Sequence, residues 1–420
     1  MAASPLKRAR LDDGDLSDAS DEPLCEDEER EELCKTAPEG FVTLGTRCVS
    51  LGFEGARGKE HAPLFTHQIL PPDGRIVNLS QPIVKVRYSH LWRALVTQSW
   101  SKVRDQGDPL GDPVSRMLAT DFVLQCGKDG FTTDPLQYER WVHDEESGAD
   151  GPANKLPGRV VWEREQECIR WCDIASEAGD LARRCQALGF WLIETAEYVD
   201  LDNKDFFLAY STIKGTDGVL SLTGYILLIK FRTLNEAQPF TWRICQLVVA
   251  PPFSSRGLGR ALIRAAHVEA GPDVYEIGVE DPCPAYSRLR LLLDVQACRA
   301  RGIFFGQSAA VLQALASSKT GRVSAQMADK VRSELKIVAR QVQLCFEVAW
   351  YAAAKASASP DALTNHRLAV KKRLYFDNEE DLDKTALDFK STMENLFVAE
   401  TKEYDSVLRA LEVNADTNAQ

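Results

Sequence analysis

The stretch "CQLVVAPPFSSRGLGRALIRAA", Cys245 to Ala266, constrains the fold of this chain more than any other. An apolar run from Leu247 to Ala250 meets Pro251 and Pro252, which stop a strand, and apolar residues recur at helical spacing from Leu258 onward. Between them stand Ser254, Ser255, Arg256, Gly257, Leu258 and Gly259. A loop with so few side chains, opening a helix, leaves backbone N–H groups free at the positive end of the helix dipole. Glycine lets an anion come close to them, and Arg256 adds charge at the rim. The pattern predicts a cradle for a diphosphate.

The elements around the loop predict one sheet of mixed direction. Three strands, 205–214, 220–232 and 241–250, are separated by "GTDG" and "TLNEAQP" and form an antiparallel meander. A helix from about Leu258 to Ala270, a strand from Val274 to Glu280 and a helix carrying Leu289, Leu292 and Leu293 continue it as a β-α-β unit. Upstream, Leu181, Cys185, Leu188, Leu192 and Ile193 share one helical face, predicting a helix that ends near Glu194. "FVTLGTRCVSLGF" and "RIVNLSQPIVKVRYS" alternate like strands, whereas "HLWRALVTQSWSKV" predicts neither class. "DEESGADGPANKL", 144–156, is rich in Gly, Pro and acids and predicts a loop or boundary. Beyond Gln307 only helices are expected, one of them an unbroken period of about 27 residues through "ADKVRSELKIVARQVQLCFEVAWYAAAKA". The fold class is α+β: a mixed, mostly antiparallel sheet flanked by helices, an N-terminal mixed domain and a C-terminal helical domain. The expected divisions are 1–40, 41–170, 171–306 and 307–420.

Charge is unevenly placed. Residues 1–40 hold thirteen Asp and Glu against five Lys and Arg, so a balance of −8 out of the chain's −12 lies there. Such a segment cannot offset its ordering entropy and is expected to be a disordered acidic tail. Lys7, Arg8 and Arg10 in "PLKRAR" suit either a nuclear import signal or a chance basic trio, and Ser17 and Ser20 each precede acids. No direct nucleic-acid binding is expected from this acidity. No apolar run reaches the roughly 18 residues of a membrane span, so an intracellular protein without membrane contact is expected. Eleven cysteines include no CxxC pair, and no metal site is expected.

The diphosphate ligand is narrowed by exclusion. A Walker loop needs Gly-Lys followed by Ser or Thr, and a dinucleotide fingerprint needs a third glycine, where Leu262 stands. Coenzyme A is the remaining common diphosphate ligand of such a junction. "SSRGLG" after an apolar strand resembles the Q/R-x-x-G-x-G/A loop of the GNAT superfamily of N-acetyltransferases, with Ser254 departing from the usual Gln or Arg. "FTHQIL", "FWLIETAEYVDLDNKDFF", "GYILLIKFR", "QLVVAPPFSSRGLGRAL", "VEDPCPAYSRLR" and "HRLAVKKRL" together resemble the catalytic subunit of type B histone acetyltransferases, over roughly 40–375.

That resemblance implies acetyl transfer from acetyl-CoA to lysines of newly made histone H4, with H2A as a second candidate. It implies a WD-repeat histone chaperone as partner, a role in chromatin assembly, and work in nucleus and cytoplasm. Lysine, with a pKa of about 10.4, must lose a proton before it attacks, and the developing oxyanion needs N–H donors. The general-base candidates fall on Glu280, Asp281 and Glu194, Glu280 first. Cofactor contacts fall on the backbone of Leu247, Val248 and Val249, on Ser254, Ser255, Arg256, Gly257, Leu258 and Gly259, and on Cys283, which suits a buried structural thiol as well. Phe206 and Phe231 fall where the histone tail is held, or else belong to the sheet core. Asp73 is the one acid in "PPDGR", where relatives carry an acidic stretch. Acetylation of other protein or small-molecule amines, and a non-catalytic histone-binding role, remain the alternatives.

Overall fold

The computed structural model describes residues 35, 39–40, 42–56, 58–70, 75–77, 79–103, 129–147, 156–315, 321–357, 359–380, 382 and 388–417. The tail expected over 1–40, apart from residues 35, 39 and 40, lies outside them, as do "PLKRAR" and Asp73. Within them the class is as expected: mixed α and β, with a six-stranded sheet at the centre. Its strands in chain order are β9 (Arg159–Arg164), β10 (Glu167–Asp173), β11 (Phe206–Lys214), β12 (Leu220–Arg232), β13 (Phe240–Val249) and β14 (Val274–Val279). They lie side by side in that order. Every neighbouring pair is antiparallel except β13 and β14. The meander and its β-α-β continuation follow the sequence closely. Strands β9 and β10 are additions, and the boundary expected at 171 falls within β10.

Helices cover both faces, which is why β12 is buried without interruption from Ser221 to Leu228. On one face lies α3 (Gly179–Gly189), entered through a single π turn at Ile174–Ala178. On the other lie α4 (Leu258–Glu269) and α5 (Pro284–Ala300), packed over stacked Trp171, Phe207 and Trp242. Helix α3 ends earlier than its periodicity predicts. The carbonyl of buried Trp191 accepts from the N–H groups of Leu64 and Phe65, at 2.9 and 3.1 Å, so tertiary bonds take over at Gly189.

The N-terminal region adds β1 (Val42–Leu44), α1 (Gly45–Cys48), β2 (Val49–Phe53), β3 (Arg75–Val77), β4 (Leu79–Ser80), β5 (Ile83–Tyr88), β6 (Ala94–Ser99), β7 (Lys102–Val103), β8 (Phe131–Thr132) and α2 (Pro135–Glu146). Strands β2, β5, β6 and β8 form a four-stranded sheet, in which β5 alternates buried and exposed residues. The segment "HLWRALVTQSWSKV" thus supplies β6 and β7. Asp144 to Glu146, expected in a loop, close α2.

After α5 the chain is helical: α6 (Ala309–Leu315), α7 (Ala325–Leu335), α8 (Ala339–Ala356), α9 (Pro360–Asp377) and α10 (Phe389–Thr417). The expected 27-residue helix is two helices. At the break Lys336 adopts φ 57°, its carbonyl accepts from Ile277 N–H at 2.8 Å, and Ile337 bridges to Ile277 in parallel. Edge strand β14 needs backbone partners, and that demand outweighs helical continuity.

Helix α5 joins the sheet to these helices. Tyr286 and Leu293 pack toward α4 and the sheet, whereas Leu291, Val295 and Cys298 pack with α7 to α10. Buried Arg290 fixes its height: it donates to Asp294 (2.8 Å), Tyr286 (3.3 Å) and the carbonyl of Ile277 in β14 (3.0 Å). Arg290→Ala strands the buried Asp294 carboxylate. It is expected to cost about 3–5 kcal/mol, read as a fall in the urea unfolding midpoint.

Candidate active site

The site begins where two strands part. Parallel pairing of β13 and β14 runs from Phe240↔Val274 to Ile244↔Val279, and the last bond is Glu280 N–H to Ile244 O at 3.0 Å. Strand β13 then continues to Val249 against β12 alone. Ala250 N–H donates to Thr223 O at 2.9 Å, so alternation commits the N–H of Val248 to β12 as well. The N–H groups of Leu247 and Val249 point the other way, into the gap. Of the three backbone contacts expected here, Leu247 and Val249 have the geometry, and Val248 does not. The register shifts opposite Cys245, which is the extra residue of a β-bulge at the mouth of the gap.

The strand leads into the cradle. Pro251–Phe253 make one tight turn, Ser255 has φ 64° and Gly257 has φ 86°, and α4 starts at Leu258 with no side chain capping it. Ala261 is the first residue to donate within the helix, to Gly257 O at 3.0 Å. The N–H groups of Gly257, Leu258, Gly259 and Arg260 are therefore the unsatisfied donors of this helix end. A Cβ on Gly257 would meet nothing within 4 Å, so its glycine answers to backbone conformation and open access rather than packing. A Cβ on Gly259 would fill the space between Leu289 (3.5 Å), Val249 (3.8 Å) and Leu247 (3.9 Å). Ser254, Ser255 and Arg256 are exposed at the rim. The donors and the space fit a diphosphate whose acyl arm enters the gap beside Leu247 and Val249.

The carboxylates border the same gap. Glu280 and Asp281 are exposed where β14 ends, and Asp281 has φ 36°. Oε1 of Glu280 lies 3.6 Å from Nη1 of Arg243, whose guanidinium stands over the Phe231 ring at 4.8 Å. The thiol of Cys245 meets the Glu280 carboxylate. Burial, and then the charge of Glu280, push that thiol up to about 12. Cys283 is exposed just before α5, so the alternative of a buried thiol is excluded.

Glu194 stands on the α3 face of β13, in a loop held by side chains. His67 bonds its carbonyl (3.0 Å), Gln68 donates to Ala196 O (2.6 Å), and Gln246 of β13 donates to Glu197 O (2.9 Å). Asp200, Asp202 and Asp205 are exposed farther along this loop. Phe206 is 7 % exposed and belongs to the core, so it is not an open tail contact. Phe231 is 39 % exposed and does reach the surface, beneath Arg243.

Arg243, Cys245, Gln246 and His67 are contributors that sequence reasoning missed. Arg243 and Phe231 are diagonal neighbours across β12 and β13, and only the register brings them together. Because the Glu280 charge disfavours the Cys245 thiolate, Glu280→Gln is expected to speed alkylation of Cys245 by iodoacetamide at pH 8. Exposed Cys283 is expected to react alike in both proteins, and peptide mapping by mass spectrometry distinguishes the two thiols.

No family model matches the chain. A protein of Yarrowia lipolytica, "Histone acetyltransferase type B catalytic subunit", is 26% identical over 403 residues, covering 85% of this chain and 88% of that one. A Dictyostelium discoideum protein with the same description is 24% identical over 290 residues, 66% of this chain and 56% of its own length. The human protein so described is 29% identical over 122 residues, 28% of each chain. The chain is thus a homologue of proteins described as type B histone acetyltransferase catalytic subunits.

Proposed function

We propose that this chain transfers an acetyl group from acetyl-CoA to lysine side chains of a histone tail, that of H4 first and of H2A second. One observation carries the proposal: the β13–β14 gap opens on one side to the uncapped end of α4 and on another to Glu280. The descriptions of the homologues support histone as substrate. We extend the proposal, on the resemblance alone, to a WD-repeat histone chaperone as partner, to chromatin assembly, and to nucleus and cytoplasm as compartments.

Bound in the gap, acetyl-CoA supplies an activated thioester. The free N–H groups at the start of α4 hold its diphosphate, and the N–H groups of Leu247 and Val249 line the acyl end. Glu280 takes the proton that the lysine ammonium sheds, directly or through water; the free amine then attacks, the C–N bond forms as the C–S bond breaks, and the leaving coenzyme thiolate takes up the proton that the new amide nitrogen loses. Asp281 stands beside it. The exposed acids Asp200 and Asp202 draw a basic tail toward the α3 side of β13.

Acetyl transfer to an H4 tail peptide and to a small polyamine, with coenzyme A binding measured separately by calorimetry, tests this. Glu280→Gln is expected to bind coenzyme A normally and to lose about 10²–10⁴-fold in kcat. Transfer to the polyamine but not the peptide points to a small-amine enzyme. Coenzyme binding without transfer to either favours the histone-binding alternative. Gly257→Val, which puts a β-branched residue at φ 86°, is expected to weaken coenzyme A about tenfold, or ~1.4 kcal/mol, while kcat at saturation changes little.

A further inference from the structure

Behind the cradle, α4 and α5 diverge around a second concavity. It is a cleft of about 910 Å³, closed below by the break between α7 and α8. Its floor is apolar, with buried Ile263, Leu293 and Ile337. Its walls carry Arg260 and Arg264 from α4, Arg299 and Arg301 from the end of α5, and Lys336 from the break.

The acids facing it do not balance these cations. Asp294 is already bound by buried Arg290 at 2.8 Å, which leaves Glu334 as the free carboxylate of the lining. His267, also in the wall, stays neutral: burial and then the charges of Arg290 and Lys336 bring it down to about 3. Lys336 has Asp273 beside it and donates to the carbonyls of Gly271 and Val274, so the four arginines face one free carboxylate, in a chain whose net charge is −12.

Holding like charges together without a counter-ion costs stability. Arg264 is lowered from its ordinary value by burial and then by Arg260. The Nε of Arg260 is shut off from solvent and has no hydrogen-bond partner among the described residues. A bound anion relieves both conditions. The acidic remainder of the chain argues against a long nucleic acid, which extends well past the Debye length of roughly 8–10 Å. A compact anion stays within reach of the arginines.

We propose that the cleft between α4 and α5 binds a compact ligand bearing clustered phosphates, at a site separate from the cradle at the start of α4. Arginine guanidinium groups converging on one cavity suit phosphate oxygens, and the apolar floor suits a ring attached to them. The site does not depend on acyl transfer, so loss of the acetyltransferase reading leaves it standing.

Calorimetry on the full chain at 150 mM salt tests it, with ATP and inorganic tripolyphosphate as probes and coenzyme A as competitor. Each probe is expected to bind one to one and to persist when coenzyme A is present. Tighter binding of ATP assigns the ligand a ring; equal binding assigns recognition to the phosphates alone. Either supports the site. Arg264→Glu with Arg299→Glu is expected to weaken both probes at least tenfold and to leave coenzyme A binding within twofold. The milder Arg299→Gln, at an exposed position, is expected to weaken them about threefold with an unchanged thermal midpoint, which separates charge loss from misfolding. Three results overturn the proposal: neither probe binds, binding survives the double charge reversal, or coenzyme A displaces the probe one for one.

Discussion

The hydrogen bond from Glu280 N–H to Ile244 O decides most of what this structure can do. It is the last rung between the two parallel strands, and beyond it β13 has a neighbour on one side only. A sheet that parts inside a protein leaves backbone donors without partners, which is costly unless a ligand or water meets them. Here the parting supplies the N–H groups of Leu247 and Val249, and the same bond holds the backbone of Glu280 at their edge. The free donors and the carboxylate proposed as base are thus set by one backbone contact.

That contact is secured from behind. Strand β14 is an edge strand of only six residues, and two bonds pin its Ile277: Arg290 donates to the carbonyl, and the amide donates to the Lys336 carbonyl. Both belong to the helical region, through α5 and the α7–α8 break. The C-terminal helices are therefore part of the site's support. Buried Arg373, bonded to Glu347, Glu400 and Tyr404, ties α8, α9 and α10 together in the same manner.

How much of this the sequence carries depends on whether a feature is local. The strand–loop–helix junction was legible, since the strand stop, the glycines and the helix start lie within twenty-two residues. Strands β11 to β13 were legible because β-branched apolar runs are bounded by turn residues. Charges such as Glu163, Arg164 and Glu165 interrupt the alternation of β9 and β10 and conceal them. The early end of α3 and the break at Lys336 were not legible, because each is imposed by hydrogen bonds from segments far along the chain. Phe206 and Phe231 read alike in sequence, yet one is core and the other is surface. Arg243 beside Glu280 needed the strand register, which no local pattern encodes.

The sheet also sorts charge. On the α4 side lie an uncapped helix start and the arginines of the cleft; on the α3 side, the loop toward β11 exposes Asp200 and Asp202. For the proposed transfer, one reactant is an anion of several phosphates and the other is a cationic tail. Had both sides carried one sign, either the coenzyme or the tail would be repelled from the shared gap. Opposite signs on the two faces of β13 let each approach from its own side and meet only where the strands part, beside Glu280. The acidity of the chain as a whole favours the tail, and so the anion has to be won locally, by the backbone N–H groups of the cradle with Arg256 at its rim.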